Sequence, residues 1–586
     1  MFDALFTTTT EYKKLSHALS GKGACALFGL PASGRAQVYA ALCRQLDKPL
    51  CIVTPGEAEA TRFAADLNTL GIPAAVFPAR DYVLRPIEGT AREYEYRRLA
   101  VLGELVGGRL RAVAVPAEAL TQFTTPKEDF CANTRTLHAG DTLLRDDLLA
   151  ALFGAGYTRR AQVDGPGQFS VRGDIVDIFA PDQKMPVRME FWGDEIDTLH
   201  TFDLTTQRRE DAIDKFYLSP AREVLFGKPA DAAEQLRAFL AKQRGKKKTA
   251  MADCMAADLD LLDGGAVPVN MDKYLAVRYP HPATVLDYFD DPILVAEEPA
   301  SIREADRATA YRRGEELKSL ILDGVLCAGL DNLYADPSYL WSKTGHYRTI
   351  CAENFTRSMP DQPLKDIINA PAHTLPAWNG EVAGLLEDLK PLCDAGYTVT
   401  LLAGTDRAAA GLARDLRDKG ILVTTDAAAA PAAGLVQVLA GHLSAGCEFP
   451  FAKYALLTGR AFGETSSQKK KRKKAKDALN SLTEITPGDL VVHQNHGIGR
   501  YAGIQRMAVQ GVTKDYLRIE YDKKDVLYVP VTQLDLLSRY TAPGDSENVK
   551  LSRLGGAEWT KTRKKVRAAT EQMAKELIEL YARRKK

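Results

Sequence analysis

The chain has 586 residues and an almost balanced charge, with 77 Lys and Arg against 76 Asp and Glu and a net charge of +1. Because a single hydrophobic core rarely serves more than about 300 residues, the length predicts several domains. The balanced charge excludes a polycation built to coat nucleic acid. The 9 cysteines lack any C-x-x-C pair, which indicates a reducing compartment. No run resembles a signal peptide or membrane span, so we expect a soluble, cytoplasmic protein without a membrane partner.

The N-terminal segment has the pattern of a phosphate-binding loop. An apolar run at 24–28 is followed by Gly29 and Gly34 at the spacing of G-x-x-x-x-G-K-[ST], and then by a helical pattern. Arg35 replaces the lysine that would reach the phosphates, and Ala36 replaces the hydroxyl that would bind Mg²⁺. We therefore predict a degenerate loop. The alternative is that it still binds nucleotide.

A second element supports this interpretation. The apolar run at 292–296 ends in Glu297 and Glu298, which is the layout of a Walker B strand with glutamate in place of aspartate. An acidic pair after a strand is commonly only a solvated loop. Together the two elements predict a lobe that kept the fold of a nucleotidase and lost its chemistry.

The sequence becomes strand-rich from about residue 128. Alternation along 187–192 places three apolar side chains on one face and Arg188, Glu190 and Trp192 on the other. Trp and Arg are enriched at the centres of protein-binding surfaces, so the charged face is a candidate for one. The alternative is that Trp192 packs under a loop.

The next segments carry no recognisable chemistry. Alternating strand and helix patterns between 342 and 463 predict a second α/β domain, in which we find no site. The basic run at 469–476 is typical of a solvated linker, with weak contact to DNA phosphates as a further interpretation.

Residues 487–540 have the alternation of short antiparallel strands. Leu517, Ile519 and Tyr521 point to one face, and the intervening polar residues point to the other. A sheet this small has exposed edges, and an exposed edge can add a strand from a partner. His493 and His496 suggest a metal pair. With no third ligand nearby in the sequence, we predict no metal site and a structural role for both.

The C-terminal residues from Trp559 predict a long helix. An apolar stripe runs along it through Val566, Met573 and Leu577, and its first turns are basic. A solitary helix of this kind needs a further surface to pack against.

Two blocks of sequence resemble the bacterial transcription-repair coupling factors. One comprises GQFSVRGDIVDIF at 167–179 and VRMEFWGDEID at 187–197; the other comprises GDLVVHQNHGIGRYAG at 488–503, DYLRIEY at 515–521 and LYVPVTQLDLLSRY at 527–540. The resemblance implies a multidomain α/β protein: a degenerate RecA/UvrB-like lobe with an inserted β-rich domain, a second α/β domain, a small antiparallel CarD/Tudor-like β barrel and a C-terminal relay helix. The implied segments are 1–127 and 217–341 for the lobe, 128–216 for the inserted domain, 342–463 for the second α/β domain, 464–486 for the linker, 487–545 for the barrel and 555–586 for the relay helix.

The resemblance also implies partners and site residues. The inserted domain would bind UvrA through Arg172, Arg188 and Trp192. The barrel would pair an edge strand, 504–509, with the β subunit of RNA polymerase, through Ile504, Gln505, Arg506 and Met507. Met507 as a core residue is the alternative.

The implied function is that of an adaptor which binds stalled RNA polymerase and recruits UvrA in nucleotide excision repair in the bacterial cytoplasm. The chain itself would have no catalytic residues and no cofactor. In the family, ATP and Mg²⁺ serve a DNA-translocating motor that would follow Lys586 and make most of the contacts to double-stranded DNA. The sequence is then either a fragment or a motorless relative. The alternative functions are a CarD-like transcription regulator and a UvrB-like ATPase that binds damaged DNA.

Overall fold

The computed structural model describes residues 2–86, 92–355, 363–378, 382–430, 432–459, 487–493, 496–509, 512–530, 537–540 and 551–554. The predicted basic linker and relay helix lie outside these residues. Short 3₁₀ helices occur at Met271–Tyr274, Val285–Tyr288, Pro450–Ala452 and Asp522–Lys524. Within the described residues, no helix is both long and apolar enough to cross a membrane.

The first part of the chain alternates strands and helices. Its elements are α1 (Phe2–Thr7), α2 (Thr10–Ala18), β1 (Gly23–Phe28), α3 (Ala32–Leu46), β2 (Leu50–Thr54), α4 (Glu57–Thr69), β3 (Ala74–Val76), α5 (Glu93–Val106), β4 (Ala112–Pro116), α6 (Ala117–Leu120) and α7 (Lys127–Ala132). Strands β2 and β4 are buried at every residue, as expected for parallel strands that are covered on both faces.

The inserted domain follows as a mainly antiparallel unit. Its elements are β5 (Arg135–His138), α8 (Arg145–Gly154), β6 (Thr158–Arg159), β7 (Gln168–Arg172), β8 (Ile175–Phe179), β9 (Val187–Trp192), β10 (Glu195–Phe202), β11 (Arg209–Ala212) and β12 (Lys215–Leu218). Strands β6 to β11 form a six-stranded sheet in sequential order, and β12 pairs with β5. The predicted limits of 128 and 216 are slightly wrong, because Phe130 packs in the core of the first lobe and β12 continues to Leu218.

The chain then returns to the first lobe. The returning elements are α9 (Pro229–Ala241), α10 (Gly245–Asp263), α11 (Leu275–Arg278), β13 (Ile293–Glu297), α12 (Pro299–Leu322), α13 (Tyr339–Lys343), β14 (Arg348–Glu353) and β15 (Leu364–Asn369). They complete a seven-stranded parallel sheet of order β15-β1-β14-β13-β2-β4-β3. The predicted end of this lobe at 341 is therefore wrong, since β14 lies between β1 and β13 and the sheet runs on to Asn369.

The second α/β domain is built on a mixed sheet. Its elements are β16 (His373–Leu375), α14 (Val382–Asp394), β17 (Thr398–Leu402), α15 (Asp406–Asp418), β18 (Val423–Thr424), β19 (Val436–Leu439), β20 (Gly446–Phe449) and β21 (Tyr454–Thr458). The order is β16-β20-β21-β17-β19-β18, with β16, β20 and β21 antiparallel and the other pairs parallel. Thr405 caps α15 by accepting a hydrogen bond from the Ala408 amide.

The last unit is a small antiparallel sheet. Its strands are β22 (Leu490–His493), β23 (Gly497–Val509), β24 (Val512–Glu520), β25 (Val526–Pro530) and β26 (Leu537–Arg539). Their order is β25-β24-β23-β22-β26, so in the described residues the sheet is open rather than a closed barrel. The predicted apolar face is confirmed, because Leu517, Ile519 and Tyr521 are all buried in its core.

Candidate functional site: two exposed surfaces and a buried loop

The structure brings together the two segments for which degenerate nucleotide-site elements are predicted. Arg35, near the start of α3, places Nε 3.2 Å from Oε2 of Glu297 and Nη2 2.9 Å from Oε1 of Glu298. Tyr39, one helical turn further on, donates a hydrogen bond of 2.6 Å to Oε1 of Glu297. The arginine that replaces the phosphate-loop lysine is thus held by the two carboxylates at the end of β13.

Arg35 and Glu297 are closed to solvent, whereas Glu298 is 33% exposed. Arg35 and Glu297 are only 3% and 2% exposed. Burial raises the pKa of Glu297, while the charge of Arg35 and the Tyr39 hydrogen bond act in the opposite direction. Burial opposes the charge of Arg35, yet Glu297, Tyr39 and Glu298 together raise the pKa of its guanidinium. The arginine therefore stays charged and compensates a carboxylate that water does not reach.

Protein atoms crowd both glycines of the loop. Gly29 has φ +87°, and a Cβ added there would lie 3.0 Å from Oδ1 of Asn369 and 3.1 Å from the carbonyl oxygen of Ala370. A Cβ on Gly34 would lie 2.9 Å from Sγ of Cys447, a residue of the second α/β domain. The backbone of the loop therefore faces protein rather than an open cleft.

The inserted domain places two of its three predicted contact residues on one buried carboxylate. Asp177, at the centre of β8, is fully buried and accepts hydrogen bonds from Arg188 on β9 at 2.7 and 2.9 Å. Arg172 at the end of β7 donates to the same carboxylate at 2.6 Å. The side chain of Arg172 is 47% exposed, whereas that of Arg188 is 11% exposed and lies over the ring of Phe202.

Trp192, the last residue of β9, is largely exposed to solvent. Its side chain is 82% exposed at the hairpin between β9 and β10, where Gly193 has φ +63°. The alternative that Trp192 packs under a loop is wrong. Since Met189 and Phe191 are buried on the other face, the indole is not needed for the core. By the strand register Trp192 and the half-exposed Arg172 share one face of the sheet, and this composition is typical of protein-binding surfaces.

The small sheet leaves part of β23 unpaired on one side. Strand β22 is only four residues long and pairs with Gly497–Arg500, and beyond this pairing the register between β23 and β24 shifts between Tyr501 and Ile504. From Ile504 to Val509 the strand pairs with β24, and no strand lies on its other side in the described part of the chain. Ile504 is 44% exposed. The side chains of Arg506 and Met507 lie outside the described residues, so the two alternatives for Met507 stay open.

A third polar group lies beside the histidine pair. Glu93, the first residue of α5, places Oε1 3.5 Å from Nε2 of His496. The rings of His493 and His496 are 4.6 Å apart. Burial lowers the pKa of His493 to about 4. Burial alone would raise the pKa of Glu93, but the two histidines lower it to about 2. A neutral imidazole and an ionised carboxylate therefore adjoin a second imidazole.

Sequence reasoning missed this cluster. The interpretation of the histidines considered only neighbours along the chain, and Glu93 belongs to the first lobe. No spacing pattern marks a glutamate at the start of a helix as a partner of a distant strand.

Comparison with known proteins finds matches for the two units that carry these surfaces. The family model of the UvrB interaction domain matches residues 136–224, and that of the CarD-like/TRCF RID domain matches residues 485–541. These two matches define a class of multidomain proteins, which join a UvrB interaction domain to a CarD-like domain, and this chain is similar to that class.

Similarity over nearly the whole chain narrows this class. The transcription-repair-coupling factor of Bacillus subtilis (strain 168) is 29% identical over 573 residues, and that of Staphylococcus haemolyticus (strain JCSC1435) is 28% identical over 574 residues. Each match covers 95% of this chain and 48% of the relative, so the chain spans about half the length of the curated relatives it matches. The chain is a relative of the transcription-repair-coupling factors.

Proposed function

We propose that this chain is an adaptor in transcription-coupled DNA repair, which binds the β subunit of RNA polymerase through the small sheet and UvrA through the inserted domain. The observation that carries the proposal is the presence of both matched domains on one chain, each with an exposed feature suited to protein binding. The names of the relatives support the same process.

On the UvrA side, the three residues have different tasks. Trp192 is the anchor, because its indole is exposed and is not needed by the core. Arg172 contributes a half-exposed guanidinium. Arg188 acts chiefly as a positioning residue. Its guanidinium is hydrogen-bonded to Asp177, and Arg172 is bonded to the same carboxylate.

On the polymerase side, the open edge of β23 supplies backbone groups. A strand of the partner would pair along Ile504 to Val509, and Gln505, Arg506 and Met507 would supply the side-chain contacts. The end of the β22 pairing at Arg500 supports this proposal, because no described strand then lies beside the segment on the side away from β24.

The test is binding to the isolated β-subunit lobe of a bacterial RNA polymerase, measured by biolayer interferometry. Met507→Arg should abolish binding while circular dichroism stays unchanged, since a charge is forced into the strand-pairing interface. Leu422→Arg is the matched control, because Leu422 is 65% exposed in the second α/β domain. If the Met507→Arg variant still binds, the result would contradict the proposal that the edge of β23 is the polymerase-binding site. Absence of binding by the unmodified chain would contradict the polymerase partner.

We further infer that the first lobe is not an ATPase. The loop residues do not fit a nucleotide: Arg35 is committed to Glu297 and Glu298, and protein atoms crowd Gly29 and Gly34. ATP-driven translocation, with its Mg²⁺ and its main contacts to double-stranded DNA, would belong to the part of the relatives that this chain does not match. Titration with a fluorescent ATP analogue should show no saturable binding. Saturable binding that Arg35→Ala abolishes would favour the UvrB-like ATPase instead.

A further inference from the structure

The Glu93, His493 and His496 cluster joins two separate units of the molecule. Glu93 begins a helix of the seven-stranded lobe, and the two histidines flank the turn between β22 and β23 of the small sheet. One ligand atom from each of the three side chains lies within 4.8 Å of the other two. Three donor groups from two units therefore converge on one point.

These donors suit a divalent transition metal. Imidazole nitrogen and carboxylate oxygen are the ligands that zinc uses in sites with three protein ligands, at roughly 2.0 to 2.2 Å. Ligands at that distance from a tetrahedral ion are about 3.4 Å apart, so small rotations of the Glu93 and His496 side chains would close the present spacing. An alkaline-earth ion would require a shell of oxygen ligands, which this cluster does not supply.

The surroundings are those of a partly shielded site. His493 is fully buried, while the side chains of Glu93 and His496 are 15% and 30% exposed. One side is thus closed by protein and the other is open to an entering ion and its water.

We propose that Glu93, His493 and His496 bind a divalent transition metal of the zinc class, and that the ion ties the CarD-like/TRCF RID sheet to the seven-stranded lobe. The ion would hold the sheet, and with it the open edge of β23, in one orientation on the lobe. The proposal rests on the three side chains alone and does not depend on the partners proposed above.

Zinc binding to the whole chain tests the site. The chain is freed of metal with a chelator, dialysed and titrated with zinc sulfate by calorimetry, with metal content measured by mass spectrometry. We expect one equivalent to bind, and at least ~10-fold weaker binding in His496→Ala and in Glu93→Gln. His281→Gln, at an exposed histidine elsewhere in the lobe, should bind as the unmodified chain does. The buried His493 is left unchanged, and circular dichroism verifies that each variant folds.

Hydrogen–deuterium exchange tests the tie between the units. Zinc should slow exchange both at the start of α5 and in β22, in the unmodified chain and in His281→Gln only. Absence of stoichiometric binding, or binding that both site variants retain, would overturn the metal site. If His496→Ala loses protection equally with and without zinc, Glu93 and His496 form an ion pair only, and the metal tie is overturned. Zinc binding without protection of both segments would overturn the tie.

Discussion

The first lobe and the inserted domain each contain a buried carboxylate held by arginine, yet they use it in different ways. In the lobe, Glu297 and Arg35 are both buried, between the end of β13 and the start of α3. In the inserted domain, Asp177 is buried, but one of its two arginines, Arg172, is half exposed on the sheet face that also carries the exposed Trp192. The same kind of pair is thus fully buried in the lobe and partly exposed in the inserted domain. The difference lies in what surrounds the pair rather than in the pair itself.

The largest effect should come from breaking the sealed pair. Arg35→Ala leaves Glu297 as a buried charge without its ion-pair partner, and we expect the free energy of unfolding of the lobe to fall by about 3 to 5 kcal/mol. Denaturant unfolding followed by tryptophan fluorescence and circular dichroism would measure it. Lys48→Ala serves as control, because Lys48 and Asp291 form an exposed pair and the expected loss is under about 1 kcal/mol. Similar losses for the two variants would contradict the closed cluster.

On the exposed face of the inserted domain, we expect a substitution to change UvrA binding more than it changes stability. Trp192→Ala should weaken binding to UvrA by about 2 kcal/mol, or roughly 30-fold, without changing the melting temperature. Leu144→Ala in the same domain is the control, since Leu144 is also an exposed apolar residue, at 54%. Equal binding to UvrA by both variants would show that Trp192 is not part of the UvrA-binding surface.

The two arginines of Asp177 offer a finer comparison. Arg172→Ala should weaken UvrA binding by about 1 kcal/mol and change stability little, because Arg172 is half exposed and Arg188 still compensates Asp177. Arg188→Ala should chiefly lower the stability of the inserted domain. Calorimetric titration with UvrA and thermal melting separate the two effects. A larger loss of stability in Arg172→Ala would reverse the roles assigned here.

Local sequence patterns predicted which face of a strand is buried better than they predicted which segments lie side by side in the fold. Alternation identified Met189 and Ile519 as buried and left Trp192 on the opposite face, because the period of a strand is a local property. The place of β14 between β1 and β13 is set by packing between distant segments, and so the domain limit at 341 was wrong. For the same reason Glu93 could not be joined to the histidines from sequence. The pairing of Arg35 with Glu297 could have been predicted, since the Walker-like patterns place both residues at one end of the sheet.

The smallest expected effect concerns a buried carboxylate with a more distant cation. Burial raises the pKa of Asp306 on α12 to about 6, and the charge of Arg313 offsets only part of this rise. The folded state therefore binds a proton more tightly than the unfolded state does. The contribution of this carboxyl to stability is lost as the pH rises from its ordinary pKa of 3.8 through about 6.

Asp306→Asn removes this pH dependence. Relative to the unmodified chain, the variant should gain stability on the order of 1 kcal/mol as the pH rises from about 4 to about 7. Thermal melting of both proteins over this range measures the difference, in which the other titrating groups cancel. A difference that does not change with pH would mean that Arg313 compensates Asp306 fully. Asp306 would then differ from Glu297, whose pKa burial raises even though Arg35 lies directly beside it.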